Sequence, residues 1–79
     1  MQFSSQIRAA RALLGWSQGR LARAAGIGLA TLQRIEQSEG VVKGNFATVF
    51  KIQKAFENAG ISFIDEGGEI GVRLLRKRR

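Results

Sequence analysis

The stretch Ser17–Gln37, SQGRLARAAGIGLATLQRIEQ, decides how this chain folds. It holds two short apolar patterns separated by Gly26, Ile27 and Gly28. Ser17 is placed to cap a helix running from about Gln18 to Ala25, because its hydroxyl can accept from a backbone N–H of the first turn. Trp16 just before that cap and Leu21 at the fourth helical position have the spacing of a hydrophobic staple. Gly26 ends the helix where the chain needs positive φ. A second helix follows from about Leu29 to Gln37, with Leu32 and Ile35 turned inward. Ala22 must be small, since the two helices cross almost in contact there. Leu21, Ala25, Ile27, Leu32 and Ile35 fill the angle between this pair and the rest of the core. The tight turn thus holds the second helix at a set angle and leaves one of its faces free.

The flanking residues supply the rest of a small domain. "SSQIRAARALLG" reads as a preceding helix capped by Ser4 or Ser5, with Ile7, Ala10, Leu13 and Leu14 in one stripe and Gly15 as its left-handed end. "SEGVVKG" is a loop. Asn45 caps a further helix, "FATVFKIQKAFENA", whose Val49, Ile52, Phe56 and Ala59 face the core with Phe46 and Phe50 alongside, and Gly60 closes it. The pattern then switches to strand: Ile61–Asp65 and Ile70–Leu75 around the turn residues "EGG" predict a β-hairpin. An isolated hairpin is marginal in water, so it needs a helix or a second chain to lie on. The expected organisation is a helical unit over 1–60, a hairpin over 61–75 and a frayed basic run over 76–79. The fold class is mainly α, a compact bundle of four to five helices followed by a short hairpin.

Composition narrows the function. At 79 residues the chain is one domain with a limited core, which a dimer partner would support. It has no cysteine and no histidine, which removes disulfides, thiolate metal sites and His-based acid–base chemistry; no metal and no cofactor are expected. The acids are few and fall mostly in loops, and no nucleophile–base pairing is visible, so an enzyme ranks last. No apolar run is long enough to span a bilayer, and "MQFSSQIRAAR" lacks the features of a signal peptide, so a cytoplasmic protein without a membrane partner is expected. Thirteen Lys and Arg against six Asp and Glu give a net charge of +7, which favours a polyanionic partner. Arg8, Arg11, Arg20, Arg23 and Arg34 all precede the first acid, Glu36.

With these residues in place, the chain resembles the lambda-repressor-like, Cro-type helix-turn-helix regulators, the XRE family, over roughly Gln6 to Ala59. "WSQGRLARAAGIGLATLQRIE" is the signature region. More narrowly, it is similar to short members that end in "FID…GVRL" strands. The resemblance implies a homodimer on a near-palindromic double-stranded operator, with the helix at Leu29–Gln37 as the recognition helix in the major groove. It implies base contacts from Leu29, Ala30, Thr31, Gln33 and Arg34. Arg34 is the strongest candidate, because a guanidinium can give two hydrogen bonds to guanine O6 and N7; a phosphate contact is the alternative. Leu29 either presses on a thymine methyl or is partly buried filler, and Thr31 and Gln33 could bond a base or a phosphate. Phosphate contacts fall to Gln18, at a positive helix end, to Lys43 and Asn45 before the last helix, and to Gly28 and Gln37 at the ends of the recognition helix. Gly28 lacks the hydroxyl that Ser or Thr commonly gives the family there. Arg11 and Glu36 occupy the two places that form a structural ion pair in the family, tying the first helix to the third. The hairpin residues Ile61, Phe63, Ile70, Val72 and Leu74 are the expected dimer contact.

The function expected on this reading is a sequence-specific DNA-binding transcriptional regulator, most simply a repressor, associated with the nucleoid through DNA. With no effector segment in view and no small molecule expected, control would come from concentration, dimerisation or a regulatory partner protein. The competing reading is an antitoxin-like interaction module, which would want an apolar or acidic face on the third helix; Thr31, Gln33 and Arg34 argue against it. An RNA-binding protein would want exposed aromatics for base stacking, and the aromatics here sit mainly at core spacing.

Overall fold

The structure, a computed structural model, describes residues 1–75; the basic run expected to fray, 76–79, lies outside the described residues. Four helices precede a hairpin: α1 Ser4–Leu14, α2 Gln18–Ala25, α3 Leu29–Gln37, α4 Phe46–Asn58, β1 Ile61–Glu66 and β2 Glu69–Leu74. The mainly helical class with a C-terminal hairpin is as expected, with four helices rather than five.

The helix ends follow from local chemistry. Ser17 Oγ accepts from Arg20 N at 3.0 Å, and Asn45 Oδ1 accepts from Thr48 N at 2.8 Å. Gly15 and Gly26 close α1 and α2 at φ 68° and 71°, the left-handed region where a Cβ is costly. The start of α1 corrects the expectation of a serine cap. Phe3 is the N-cap residue, Ser4 is fully buried, and the Ser4 hydroxyl donates to the Ile35 carbonyl at 3.2 Å. Gln6 does the capping instead: its Oε1 accepts from Phe3 N at 3.0 Å and Gln2 N at 2.8 Å.

Ile7, Ala10, Leu21, Ala22, Leu32, Ile35, Ile52, Ala55, Phe56 and Ile61 make one core. Trp16 stacks on Phe56 with 6.1 Å between centroids, and Phe63 meets the same ring edge-on at 5.9 Å. Two expected core assignments fail. Leu13 is 47 % exposed, and Phe46 and Phe50, at 82 % and 49 %, stand outside the core stacked on each other at 5.9 Å. At about 100° per residue, Phe46 and Phe50 are turned well away from the arc of Ile52, Ala55 and Phe56 that the core takes up.

The hairpin is part of this core. Its strands are one residue longer toward the turn than expected, because Gly67 and Gly68 both take positive φ (63° and 78°) and pair Glu66 directly with Glu69. The antiparallel register sets Ile61 opposite Leu74 and Phe63 opposite Val72. The period of two therefore puts Ile61, Phe63, Ile70, Val72 and Leu74 on one face. That face covers the chain's own helices: Ile61 is 3 % exposed, Phe63, Val72 and Leu74 pack on the core, and Ile70 is half-exposed. These strands turn much of the face expected to meet a second copy toward their own subunit, with Ile70 half-exposed and Val72 and Leu74 partly buried. Gly60 makes the join at φ 100°; a Cβ there would stand 2.9 Å from the Leu75 carbonyl oxygen, and Gly60 O accepts from Leu75 N at 2.8 Å. Gly60→Ala is expected to cost about 2–3 kcal/mol, read as a lower urea midpoint at unchanged slope.

Candidate nucleic-acid interface

The α2–turn–α3 unit is closed by its own backbone. Gly26 N donates to Arg23 O at 3.2 Å, and Ile27 N to Ala22 O at 3.0 Å. Ala22 is 4 % exposed, and Ala25 and Ile27 pack against the core as partly buried fillers. Gly28 is the N-cap of α3 and has no side chain to offer the free N–H groups of the first turn.

The far half of α3 is held by α1. Arg11 meets Glu36 in a two-pronged pair, Nε to Oε2 at 3.0 Å and Nη2 to Oε1 at 2.8 Å, and its Nη1 donates to Trp16 O at 3.1 Å. The Glu36 side chain is 4 % exposed and that of Arg11 21 %. Arg8 Nη1 donates to the Glu36 carbonyl at 2.6 Å, and Ser4 takes the Ile35 carbonyl. Three α1 side chains thus bond the C-terminal turn of α3, where orphan carbonyls need donors. The roles of Arg8 and Ser4 went unread in the sequence; a base positioned to cap a helix twenty-eight residues away leaves no local signal.

The opposite face of α3 points outward along its whole length. Leu29 is 44 % exposed; Ala30, Gln33, Arg34 and Gln37 are exposed, and Thr31 is half-buried. Leu29 is therefore more surface than filler. The Arg34 guanidinium reaches only Thr31 Oγ1, at 3.4 Å, and makes no ion pair among the described residues. A cleft of about 300 Å³ between α3 and the start of α4 brings Thr31, Arg34, Ser38, Lys43, Asn45 and Thr48 together. Asn45 spends its carbonyl oxygen on the α4 cap, which leaves its NH₂ group for an outside acceptor. Gln18 stands apart from this cleft. Its Nε2 donates to Glu36 Oε1 at 3.3 Å, so the amide expected to hold a phosphate is joined to the Arg11–Glu36 pair, and the helix-end N–H remains for an anion. Arg20 lies over the Trp16 ring, 5.1 Å from its centroid.

The sequence model of the helix-turn-helix family HTH_3 matches residues 7–59, two-thirds of the chain. The chain belongs to this family. It is a Cro- and lambda-repressor-like DNA-binding regulator. The matched segment of the regulator takes in α2, α3 and α4 whole and stops before the hairpin. A comparison with curated proteins finds no match. Among the described residues, no helix of the regulator is long and apolar enough to cross a membrane, and no group of Asp or Glu is arranged to hold a metal ion.

Proposed function

We propose that the regulator is a repressor that binds a near-palindromic operator as a dimer, with the exposed face of α3 in the major groove. The observation that carries this reading is the division of α3. One face of its C-terminal turn is bonded to α1 from behind, while on the other face Arg34 makes no ion pair among the described residues and shares a cleft with Lys43 and Asn45. A rigid, basic, outward helix with donors beside it suits base edges flanked by phosphates. Two such helices in a dimer would enter successive grooves about 34 Å apart. Gln18, Gly28, Gln37, Lys43 and Asn45 would set the register on the backbone, and Leu29, Ala30, Thr31, Gln33 and Arg34 would meet bases.

The test is a titration onto two fluorescent duplexes, one from upstream of the protein's own gene and one scrambled, at two salt concentrations. A preference for the upstream duplex that survives higher salt is expected; equal binding that collapses with salt would reduce the interaction to net charge. Arg34→Ala is expected to lose preference worth about 1–3 kcal/mol for the operator while changing scrambled binding little. Lys43→Ala is expected to weaken both and lower the salt slope by about one. An Arg34→Ala variant that weakens both duplexes equally would make Arg34 a phosphate contact.

A further inference from the structure

We infer that the outer face of α4 is the contact between two copies of this chain, with α4 packing antiparallel on its mate about Phe50. This rests on the dimeric reading above and places the contact on a surface other than the hairpin. Phe46 and Phe50, one turn apart and 82 % and 49 % exposed, stack on each other on a helix face that no other element covers. A lone exposed apolar side chain is ordinary; two stacked rings in one stripe form a patch.

The charges along the stripe say what covers it. Phe46, Phe50, Gln53 and Glu57 follow one line at helical spacing. Glu57 stands in the last turn of α4, where the helix dipole disfavours an acid, and the first turn, which favours one, has none. Among the described residues Glu57 has only surface partners, Lys54 at 3.8 Å and Gln53 at 3.1 Å. In a chain with thirteen bases and six acids, the longest helix therefore carries its acid at the unfavourable end. An antiparallel copy reverses that. Glu57 of each subunit comes opposite the N-terminal end of the other α4, beside Lys43 and the free N–H groups, and Lys54 comes opposite Phe46. Lys43 precedes the aromatic pair and Glu57, with Lys54 beside it, follows it, so a two-fold arrangement sets the acid of each copy against the basic end of the other. A differently charged partner would leave one end unmatched. Val41, 59 % exposed beside the start of α4, extends the apolar part. Two phenylalanines per subunit fall well short of the roughly 800 Å² per partner of a standard interface, so dissociation at micromolar concentration is expected.

The experiment is sedimentation equilibrium of the whole chain without DNA, for wild type, Phe50→Gln, Glu57→Lys and, as a control in the apolar groove between α1 and β2, Leu13→Gln. Wild type and Leu13→Gln are expected to dimerise alike. Phe50→Gln and Glu57→Lys are each expected to weaken the dimer by about tenfold or more, with circular dichroism unchanged because both side chains lie outside the core. Mixing Glu57→Lys with Lys43→Glu is expected to restore association, because each reversed charge then faces its opposite across the two-fold axis. A wild type that stays monomeric at hundreds of micromolar overturns the contact. So does a dimer that tolerates Phe50→Gln and fails with Leu13→Gln, which would move the interface to the α1–β2 groove. A wild type that dimerises through Phe50 yet binds operator and scrambled duplexes equally leaves the contact standing and defeats the operator reading. A monomer that still discriminates between duplexes does the opposite.

Discussion

Arg11→Ala will cost about 3–5 kcal/mol of folding stability, because it strands the Glu36 carboxylate where almost no water reaches it. With Arg11 gone, the one donor left to that carboxylate among the described residues is Gln18 at 3.3 Å, a neutral amide at long range. Glu36→Ala is expected to cost clearly less, about 1–3 kcal/mol. The Arg11 side chain retains 21 % exposure and its bond to Trp16 O, so an abandoned guanidinium can hydrate in place. The asymmetry separates a desolvation effect from a simple loss of Coulomb attraction, which would be equal from either side. A double-mutant cycle measured by urea unfolding should give a coupling of about 0.5–3 kcal/mol. Additive single effects would mean that the two residues contribute independently. Arg11→Lys will not restore the wild-type value, since a point charge cannot make both parallel hydrogen bonds to the carboxylate and a third to Trp16. For a domain of this size the loss from Arg11→Ala approaches the whole margin of stability, so the variant is expected to be largely unfolded near body temperature.

Gln6→Leu will cost about 2–4 kcal/mol, and the damage will fall on the hairpin. Gln6 is 2 % exposed and is bonded at both ends of its amide. The oxygen receives the N–H groups of Gln2 and Phe3, and the nitrogen donates to Ile64 O at 3.3 Å and Gly71 O at 3.1 Å, one carbonyl from each strand. Leucine fills much of the same volume and leaves all four partners without it. Gln6→Glu keeps the two acceptors but sets a negative charge against two carbonyl oxygens, so it is expected to be no better. Hydrogen exchange is the decisive measurement. Amides of β1 and β2 should lose protection in Gln6→Leu while those of α3 keep theirs, because the hairpin meets the remainder of the fold through α1 and α4. Unchanged strand protection would show that apolar packing of Ile61, Phe63 and Val72 holds the hairpin without the amide.

Most of the candidate interface was legible for a reason that does not extend to its support. Exposure of Gln33 and Arg34 follows from helical period once Leu32 and Ile35 are placed inward. The Arg11–Glu36 pair spans 25 residues, and no spacing rule connects them; it entered through the family resemblance. Phe46 and Phe50 stand outside the core although apolar, because apolar character alone does not tell which arc of a helix is buried. Which arc of α4 the core could accommodate depends on how Ile7, Leu21 and Leu32 pack against it, and that is settled by three other helices.

The sequence by itself determined the ends of α2, the start of α4 and the site of the hairpin turn. Caps, left-handed glycines and the Gly67–Gly68 turn act over four residues or fewer, so Ser17, Gly26 and Asn45 carry their meaning wherever the chain goes. Tertiary structure alone decided what the buried polar groups do. Ser4 was free to cap its own helix and instead serves α3 from 31 positions away, and Gln6 reaches carbonyls 58 and 65 positions distant. A buried donor must find an acceptor or lose its hydration without return. Which acceptor stands within hydrogen-bond reach of it is known only when the hairpin, α1 and α3 have closed on one core.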